Sequence, residues 1–338
     1  MRNLFDPALE FLVLLWLVPW GFFLGFMGGW IFSRPMVAGH FMDMPGLRSS
    51  HAAPTPKGGG VGIVLAVLWA WIFLGHPFAM IPCFIMISFL GLFSDRRDIS
   101  PLFRLSMHIL LALFAVIAGS PFLPLLSFPG IILYTLFWTL FIAATANFYN
   151  FMDGINGIAA LSGATGFILM ALFQILHGGW DRNVLLLLAA ASACLGFVPM
   201  NFPRAKVFMG DTGSLFLGFF FAAMVMLFST SHGDFLLFFS FLAPFYCDEL
   251  TTMAIRLKNR ENIFKPHRKH LYQILVNQRR ISHLKVTLFY AMVQAIFGLM
   301  MIYIHSLGRI MPLVTMLLLF FVLFGIISRR IRQGQNEL

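Results

Sequence analysis

Long apolar runs separated by short polar segments are the feature that most constrains how this chain can fold. A transmembrane helix needs about 20 mostly apolar residues, and in hydrocarbon its backbone must satisfy its own hydrogen bonds. Only 11% of the 338 residues are charged and 41 are Phe, far from the composition of a soluble domain. The sequence therefore predicts an all-α, polytopic transmembrane helix bundle of about 11 spans. The predicted spans are 11–32, 60–75, 78–93, 103–119, 130–146, 158–177, 183–199, 214–230, 235–255, 286–305 and 310–328.

These spans leave no room for a separate soluble domain, so residues 1–338 are predicted to form one integral membrane domain. The first apolar run lacks the flanks of a cleaved leader and is interpreted as a retained helix. Cys83, Cys194 and Cys247 lie in apolar runs without a CxxC or Cys–His pattern, which favours packing over a disulfide or a zinc site. The loops predicted to carry function are near 33–59, 94–104, 147–157, 200–214 and 256–285.

The distribution of basic residues predicts the orientation in the membrane. Twenty of the 23 Lys and Arg fall in loops on one side, whereas Arg2, Arg182 and Arg309 fall on the other. Because cytoplasmic loops carry the excess of Lys and Arg, the first side is predicted to be cytoplasmic. An odd number of spans then gives a periplasmic N-terminus and a cytoplasmic C-terminus. The net charge of +10 indicates this bias and attraction to anionic lipid or phosphate, not nucleic acid binding.

Five polar clusters fall in the loops predicted to be cytoplasmic. The opposite loops are short and chemically plain. Five clusters on one face indicate one composite site at the inner membrane surface. A transporter would instead place ionisable groups within its helices, near mid-membrane. The clusters are RSSHAAPTPKGGG (48–60), SDRRDIS (94–100), NFYNFMDGIN (147–156), FMGDTGS (208–214) and KPHRKHLYQ (265–273).

Two of these clusters place carboxylates at predicted helix ends. Asn147, Asn150 and Asp153 recur every three residues, so they share one sector of a helix end and form either a polar cap or a pocket. An Asp that borders hydrocarbon needs a cation or hydrogen-bond partners, which favours a functional pocket. Asp211, followed by Thr212, is predicted to cap the next span or to hold Mg²⁺ beside a phosphate at that helix N-terminus, and the two roles are compatible.

The two basic clusters also have two interpretations each. The glycines after Lys57 either permit close helix packing or let backbone amides approach a diphosphate. His267 and His270 flank Arg268 and Lys269 in the most basic loop, which is either a solvated anion-attracting surface or a diphosphate-recognition segment. Without a nearby carboxylate, this histidine pair is a poor zinc signature.

Two further groups of acidic residues lie near Arg in the sequence. Asp95 and Asp98 flank two arginines, which is consistent with local ion pairing at the membrane edge or with a functional role. Asp248 and Glu249 precede Arg256 by about two turns inside an apolar run. Ionised groups at that depth are costly, so these side chains are predicted to face a cavity.

Taken in order, these motifs resemble one family. SSHxxPTPxGGG, NxxNFMDGxNG, FMGDxGSxxLG and HRxHLYQ resemble the polyprenyl-phosphate N-acetylhexosamine-1-phosphate transferases, which include phospho-MurNAc-pentapeptide translocase and enzymes that initiate O-antigen or teichoic acid chains. The resemblance runs from about residue 45 to 275, and its most specific parts are NFYNFMDGINGIA and VFMGDTGSLFLG. It implies transfer of a sugar 1-phosphate from a UDP-N-acetylhexosamine to undecaprenyl phosphate, with release of UMP, at the cytoplasmic face of a bacterial inner membrane.

The resemblance also implies a role for individual residues. It implies Mg²⁺, or Mn²⁺ in its place, held by Asp211 and Asp153. The partners are undecaprenyl phosphate, the UDP-sugar and the bilayer, with no nucleic acid and with a homo-oligomer left open. The catalytic residues it implies are Asp95, Asp98, Asp153, His267 and His270. The substrate-binding residues it implies are His51, Lys57, Asn147, Asn150, Asn156, Asp248, Arg256 and Arg268.

The sequence departs from the family pattern at one point. Many members have two adjacent aspartates after the third span, whereas this chain has Ser94 and then Asp95. A phosphate monoester has a second pKa of about 6, so the lipid phosphate is largely dianionic at neutral pH and is already a competent nucleophile. We therefore expect direct attack by the lipid phosphate, with Asp95 orienting charge or metal.

The histidine motif distinguishes branches of the family. The translocase branch has a compact histidine run, whereas His-Arg-Lys-His followed by LYQ resembles the branch that initiates O-antigen or a similar surface polysaccharide. The sequence leaves N-acetylglucosamine and a 6-deoxy sugar such as N-acetylfucosamine open. Two other classes remain as alternatives: a multi-pass transporter of lipid-linked or anionic cargo, and a non-catalytic membrane scaffold.

Overall fold

A computed structural model describes residues 7–45, 53–97, 99–262 and 267–333. These residues are mostly helical, with one two-stranded sheet. In the first half the elements are α1 Pro7–Phe32, α2 Pro35–Ala38, β1 Met42–Asp43, β2 Thr55–Pro56, α3 Val61–Phe73, α4 Ile81–Arg96, α5 Pro101–Gly119, α6 Phe128–Met152 and α7 Ile158–Gly178. In the second half they are α8 Arg182–Asn201, α9 Gly210–Phe228, α10 His232–Ser240, α11 Ala243–Lys258, α12 Leu271–Asn277, α13 His283–Ser306 and α14 Ile310–Gln333.

Nine helices of the described chain are long and apolar enough to cross a membrane, which confirms an all-α polytopic fold. The predicted count of about 11 is not confirmed, because two predicted spans differ from the structure. The run 60–75 forms α3, whose 13 residues reach only about 20 Å, less than the ~30 Å hydrocarbon core.

The prediction of one span over 235–255 is wrong. Phe241 and Leu242 separate α10 from α11, and Pro244 is the second residue of α11. Because Pro lacks an amide hydrogen, it cannot continue the hydrogen-bond ladder from α10 and instead suits the first turn of a new helix. The apolar run therefore folds as two short helices.

Helix α9 lies at the centre of the bundle. Its residues from Thr212 to Met226 are all buried. The Phe84 ring of α4 meets Phe219 and Phe220 of α9 edge to face, with ring centroids 6.1 and 5.4 Å apart, an arrangement that stabilises aromatic pairs. Because neighbouring helices enclose α9, its N-terminus and the residues it carries have a fixed position.

The short sheet brings the early polar loop to the same end of the bundle. Asp43 of β1 pairs with Thr55 of β2 in antiparallel register. At the end of β2, the Pro56 carbonyl accepts a hydrogen bond from the Phe208 amide at 2.7 Å. The segment that carries Lys57 is thereby fixed beside the segment that leads into α9.

Candidate active site

The ends of several helices surround one cavity of about 300 Å³. It lies where α4 and α6 end and α9 begins. The structure thus brings together side chains that lie far apart in the sequence. The predicted site residues in its lining are Lys57, Asp95, Asn150, Asp153, Asn156 and Asp211.

The Asp211 carboxylate connects three helices. Its Oδ1 accepts a hydrogen bond from Asn150 Nδ2 of α6 at 2.9 Å, and its Oδ2 accepts one from Ser94 Oγ of α4 at 2.8 Å. The Arg104 guanidinium of α5 lies 2.9 Å from the same Oδ2 and 3.3 Å from Asn150 Oδ1. Asp211 is therefore oriented on both oxygens by polar groups from neighbouring helices.

Asp95 supplies the cap of α9. Its Oδ1 accepts a hydrogen bond from the Asp211 amide at 3.0 Å, and its Oδ2 accepts from the Thr212 amide and hydroxyl at 3.2 and 2.9 Å. Its described bonds are thus to α9 and not to the adjacent arginines. A carboxylate at a helix N-terminus satisfies free amides and interacts favourably with the helix dipole. The Asp211 side chain does not cap α9, so the capping interpretation of Asp211 is wrong.

Asp153 follows the last residue of α6 and differs from the other two carboxylates. Among the described residues its side chain has no hydrogen-bond or ion-pair partner, and burial, then the charges of Asp211 and Asp95, raise its pKa to about 8. A cation beside these three carboxylates would relieve that repulsion. Mg²⁺ is usually bound by one or two carboxylates together with water and substrate phosphates. The residues therefore fit Mg²⁺ shared with a substrate, and the described chain shows no group of three or more ligands that would hold a metal alone.

The glycine segment after Lys57 packs closely against the start of α9. The amides of Gly59 and Gly60 donate to the carbonyls of Phe208 and Met209, both at 3.0 Å. A Cβ on Gly60 would lie 2.5 Å from the Cα of Gly213. The structure thus supports the packing interpretation, and both amides are already used. Lys57 itself lines the cavity, with Nζ 3.4 Å from Asp43 Oδ1.

Asn147 and Asn156 lie on either side of this centre. Asn147 is outside the cavity lining, where its Nδ2 donates to the Ala143 carbonyl at 2.7 Å and its Oδ1 lies 3.1 Å from Nδ1 of the buried His108. Asn156 does line the cavity, and its Nδ2 donates to the Pro203 carbonyl at 3.0 Å. Asn147 therefore supports the helix end, whereas Asn156 fixes the cavity edge.

Asp248 lies outside the cavity lining and serves as an internal anchor. It is fully buried and accepts hydrogen bonds from the amides of Leu271 and Tyr272 at 2.6 and 3.1 Å and from Tyr290 Oη at 2.8 Å. These contacts fix the start of α12. Arg256, also buried and outside the lining, pairs with Glu261 at 3.4 Å.

The predicted histidines form a second cluster next to the cavity. The rings of His267 and His270 lie 4.7 Å apart, and His270 Nδ1 lies 3.3 Å from Glu249. Neither ring is in the cavity lining, and the half-buried Arg268 between them is not either. Tyr272 joins the two regions, because its Oη donates to the Phe151 carbonyl at 2.8 Å, two residues before Asp153.

Burial lowers the pKa of both histidines. It lowers the pKa of His267 to about 3, with a further contribution from the adjacent His270. It lowers the pKa of His270 to about 3 as well, with contributions from Arg332 and Arg256. Two further predicted residues, His51 and Asp98, lie outside the described residues.

Arg104 was not among the predicted site residues, although the sequence contained a signal for it. It is the fourth residue of α5, where a cation opposes the helix dipole. A carboxylate partner offsets this unfavourable interaction, and Asp211 provides one here. Gln273, the last residue of the HRxHLYQ motif, and His283 also line the cavity, although neither was a predicted site residue and His283 lies in no motif.

The fold and the cavity define a multi-pass membrane protein with carboxylates and cations converging at one end of its helices. Glycosyl transferase family 4 matches residues 77–229. An undecaprenyl-phosphate alpha-N-acetylglucosaminyl 1-phosphate transferase of Thermotoga maritima is 33% identical over 264 residues, which cover 77% of this chain and 80% of that protein.

Two further relatives have similar names. A decaprenyl-phosphate N-acetylglucosaminephosphotransferase of Mycobacterium leprae is 30% identical over 72% of each chain. An undecaprenyl-phosphate alpha-N-acetylglucosaminyl 1-phosphate transferase of Escherichia coli K12 is 26% identical over 86% of this chain and 84% of its own. The chain belongs to the polyprenyl-phosphate N-acetylhexosamine-1-phosphate transferase family, and the resemblance seen in the motifs is confirmed. It is therefore a membrane-embedded sugar-1-phosphate transferase.

Proposed function

We propose that this enzyme transfers an N-acetylhexosamine 1-phosphate from a UDP-sugar to undecaprenyl phosphate, releases UMP and so initiates O-antigen or another surface polysaccharide. The observation that carries the proposal is the convergence of Asp95, Asp153 and Asp211 on one cavity that Lys57 also lines. The relatives named for N-acetylglucosamine support that sugar as the first to test. A 6-deoxy N-acetylhexosamine is the second.

The proposed location is the bacterial inner membrane, with the cavity facing the cytoplasm. The bias of Lys and Arg towards the loops at the cavity end supports this orientation. The carboxylates also lie at helix ends and not at mid-membrane, since Asp95 is in the last turn of α4 and Asp211 in the first turn of α9. That placement favours the enzyme over the transporter and scaffold alternatives.

Charge neutralisation is the main chemical task, because a lipid phosphate and a nucleotide diphosphate must meet. Mg²⁺ held by Asp211 and Asp153 would supply part of this neutralisation at the diphosphate. Arg104 adds a fixed positive charge 2.9 Å from Asp211 Oδ2, and Lys57, which lies 3.4 Å from Asp43, adds another in the cavity lining. Asp95 holds the start of α9 and thereby orients Asp211.

The experiment that tests this function is UMP release by purified protein with undecaprenyl phosphate, Mg²⁺ and a panel of UDP-sugars. Asp211→Asn is expected to lower the rate by about 10²-fold or more, because it removes a carboxylate that would hold Mg²⁺ at the diphosphate. Asp181→Asn is the matched control, since Asp181 is also at a helix N-terminus, where it accepts from the amides of Asn183 and Val184. Undiminished turnover by folded Asp211→Asn would contradict the proposal.

A further inference from the structure

The last turn of α14 is attached to the segment that carries the histidines, residues 267–273, called here the histidine segment. One terminal nitrogen of Arg332 donates to the Lys269 carbonyl, and the other donates to Thr252 Oγ1 of α11 at 3.0 Å. Its Nε donates to Ser328 Oγ of α14 at 3.0 Å. All three nitrogens of this guanidinium are therefore engaged, and they join α14, α11 and the histidine segment.

Asp248 of α11 also binds the backbone of the histidine segment. This carboxylate accepts the amides of Leu271 and Tyr272, and its Oδ1 lies 3.3 Å from Thr252 Oγ1. The Lys269 carbonyl bound by Arg332 and these two amides lie on both sides of His270 along the backbone. Arg332 and Asp248 thus fix the backbone on either side of this histidine.

The attachment extends to the wall of the cavity. Tyr272 Oη donates to the Phe151 carbonyl, next to Asp153, and Gln273 lines the cavity. A shift of the histidine segment would therefore move both the histidines and part of the cavity wall. Reaction rates are sensitive to such shifts, because a misplacement of about 1 Å can cost about 10²-fold in rate.

The Arg332 side chain has a different environment from those of the neighbouring arginines on α14. Arg329 and Arg330 are exposed, as expected for basic side chains that extend into water from the end of a membrane helix. Arg332 instead turns its planar set of donors towards protein acceptors. Only an arginine presents several donors in one rigid plane, so a lysine could replace just part of these contacts.

We propose that Arg332 is a positioning residue for transfer: it holds the histidine segment against α11 so that His267 and His270 meet the diphosphate of the UDP-sugar. This inference rests on the proposed function and takes the second interpretation of the histidines, as a segment that recognises the diphosphate. Arg332 lies outside the cavity lining and outside residues 77–229 that the family pattern matches.

The test compares Arg332→Gln, Arg332→Lys and the matched control Arg330→Gln, each as the full-length purified protein. UMP release is measured with the UDP-sugar and undecaprenyl phosphate varied separately, and hydrogen exchange is followed at the amides of Leu271 and Tyr272. Arg332→Gln is expected to lower kcat/KM for the UDP-sugar by about 10- to 100-fold, to leave KM for the lipid unchanged and to accelerate exchange at both amides. Arg332→Lys should be intermediate, and Arg330→Gln should match the unmodified protein.

Three results would overturn this positioning role: exchange at the two amides as slow as in Arg330→Gln, equal loss for both substrates, or no recovery in Arg332→Lys. If Arg332→Gln does not fold, Thr252→Val removes one of the same contacts and must accelerate the same amides for the inference to stand. If the unmodified protein releases no UMP with any UDP-sugar, the proposed function fails, and the exchange comparison still decides whether Arg332 holds the segment.

Discussion

At the scale of single residues, Ser94 distinguishes this chain from relatives with two adjacent aspartates. Its hydroxyl donates to Asp211 Oδ2 at 2.8 Å, so it orients the carboxylate without adding a negative charge. A third carboxylate in direct contact with Asp211 and Asp95 would add repulsion to a region where their charges already contribute to raising the pKa of Asp153 to about 8.

Ser94→Ala tests direct attack by the lipid phosphate. The variant loses one hydrogen bond, worth about 1 kcal/mol, and is expected to keep UMP release within about tenfold of the unmodified protein. Incubation with labelled UDP-sugar and without lipid should yield no phosphosugar–enzyme adduct in mass spectrometry. An adduct that passes its sugar phosphate to lipid added later would show a covalent route instead.

His270 gives a prediction for stability against pH. Its folded pKa of about 3 lies below the ordinary value of 6.5, so between these values the unfolded chain binds more protons and stability falls as the pH falls. His270→Gln cannot take up that proton, so its thermal midpoint should decline less steeply between about pH 6.5 and about pH 4. A slope equal to that of the unmodified protein would show that the pKa of His270 is the same in the folded and the unfolded chain.

The sequence predicted several residues of the cavity lining, but not what each one contacts. Asp211 was predicted as a site residue because a phosphate and Mg²⁺ can bind at a helix N-terminus, and Asp153 because a carboxylate that borders hydrocarbon needs a cation or hydrogen-bond partners. The argument from hydrocarbon also drew attention to Asp248, but two of its partners are backbone amides 23 and 24 residues further along the chain. No side-chain pattern identifies such partners.

At the scale of elements, the start of α9 depends on a residue of another helix and on its own first residue. Asp95 of α4 caps the helix, and Gly210 enters it with a φ of +75°. Long apolar runs predicted nearly all the helices, because hydrophobic length is a local property. The break at Phe241–Leu242 and the shortness of α3 were not predicted, since Pro and Gly inside or beside an apolar run do not by themselves show where the helix ends.

Gly210→Ala tests the start of α9, and Gly75→Ala, in the loop after α3, is its matched control. Both glycines have positive φ, +75° and +67°, but a Cβ on Gly210 would lie 2.4 Å from Asp95 Oδ2, whereas nothing lies within 4 Å of one on Gly75. Gly75→Ala should cost only the left-handed backbone penalty, about 1 kcal/mol. Gly210→Ala should lower the thermal midpoint further and reduce UMP release, because it displaces Asp95. Equal effects of the two changes would show that the cap tolerates the shift.

At the scale of the whole molecule, the pairs of ionisable side chains among the described residues lie at the two ends of the bundle. The cavity and the histidine segment occupy one end. At the other, His305 of α13 lies 2.9 Å from Asp234 of α10, and Arg182 donates to the Gly75 carbonyl at 3.1 Å. The motif order indicated that distant loops converge, but only the packing of α4, α5 and α6 around α9 shows which side chains meet.

The proposed orientation can be tested by cysteine labelling. Cys83, Cys194 and Cys247 are buried, so the unmodified protein should give a low background. Exposed positions lie at both ends, with Arg330 at the cavity end and Arg309 at the other. A membrane-impermeant maleimide should label Arg309→Cys in intact cells and Arg330→Cys only after permeabilisation. Labelling of Arg330→Cys in intact cells would reverse the orientation.

The enclosure of α9 has a consequence for how the enzyme responds to its surroundings. In the span of α9, 83% of the residues are buried, against 11% in that of α14. Changes in bilayer thickness or detergent therefore act first on the outer helices, and the helix that carries Asp211 is the last to be affected. We therefore expect solubilised enzyme to lose affinity for the nucleotide first, through displacement of α14 and Arg332. The carboxylates that line the cavity should be displaced later.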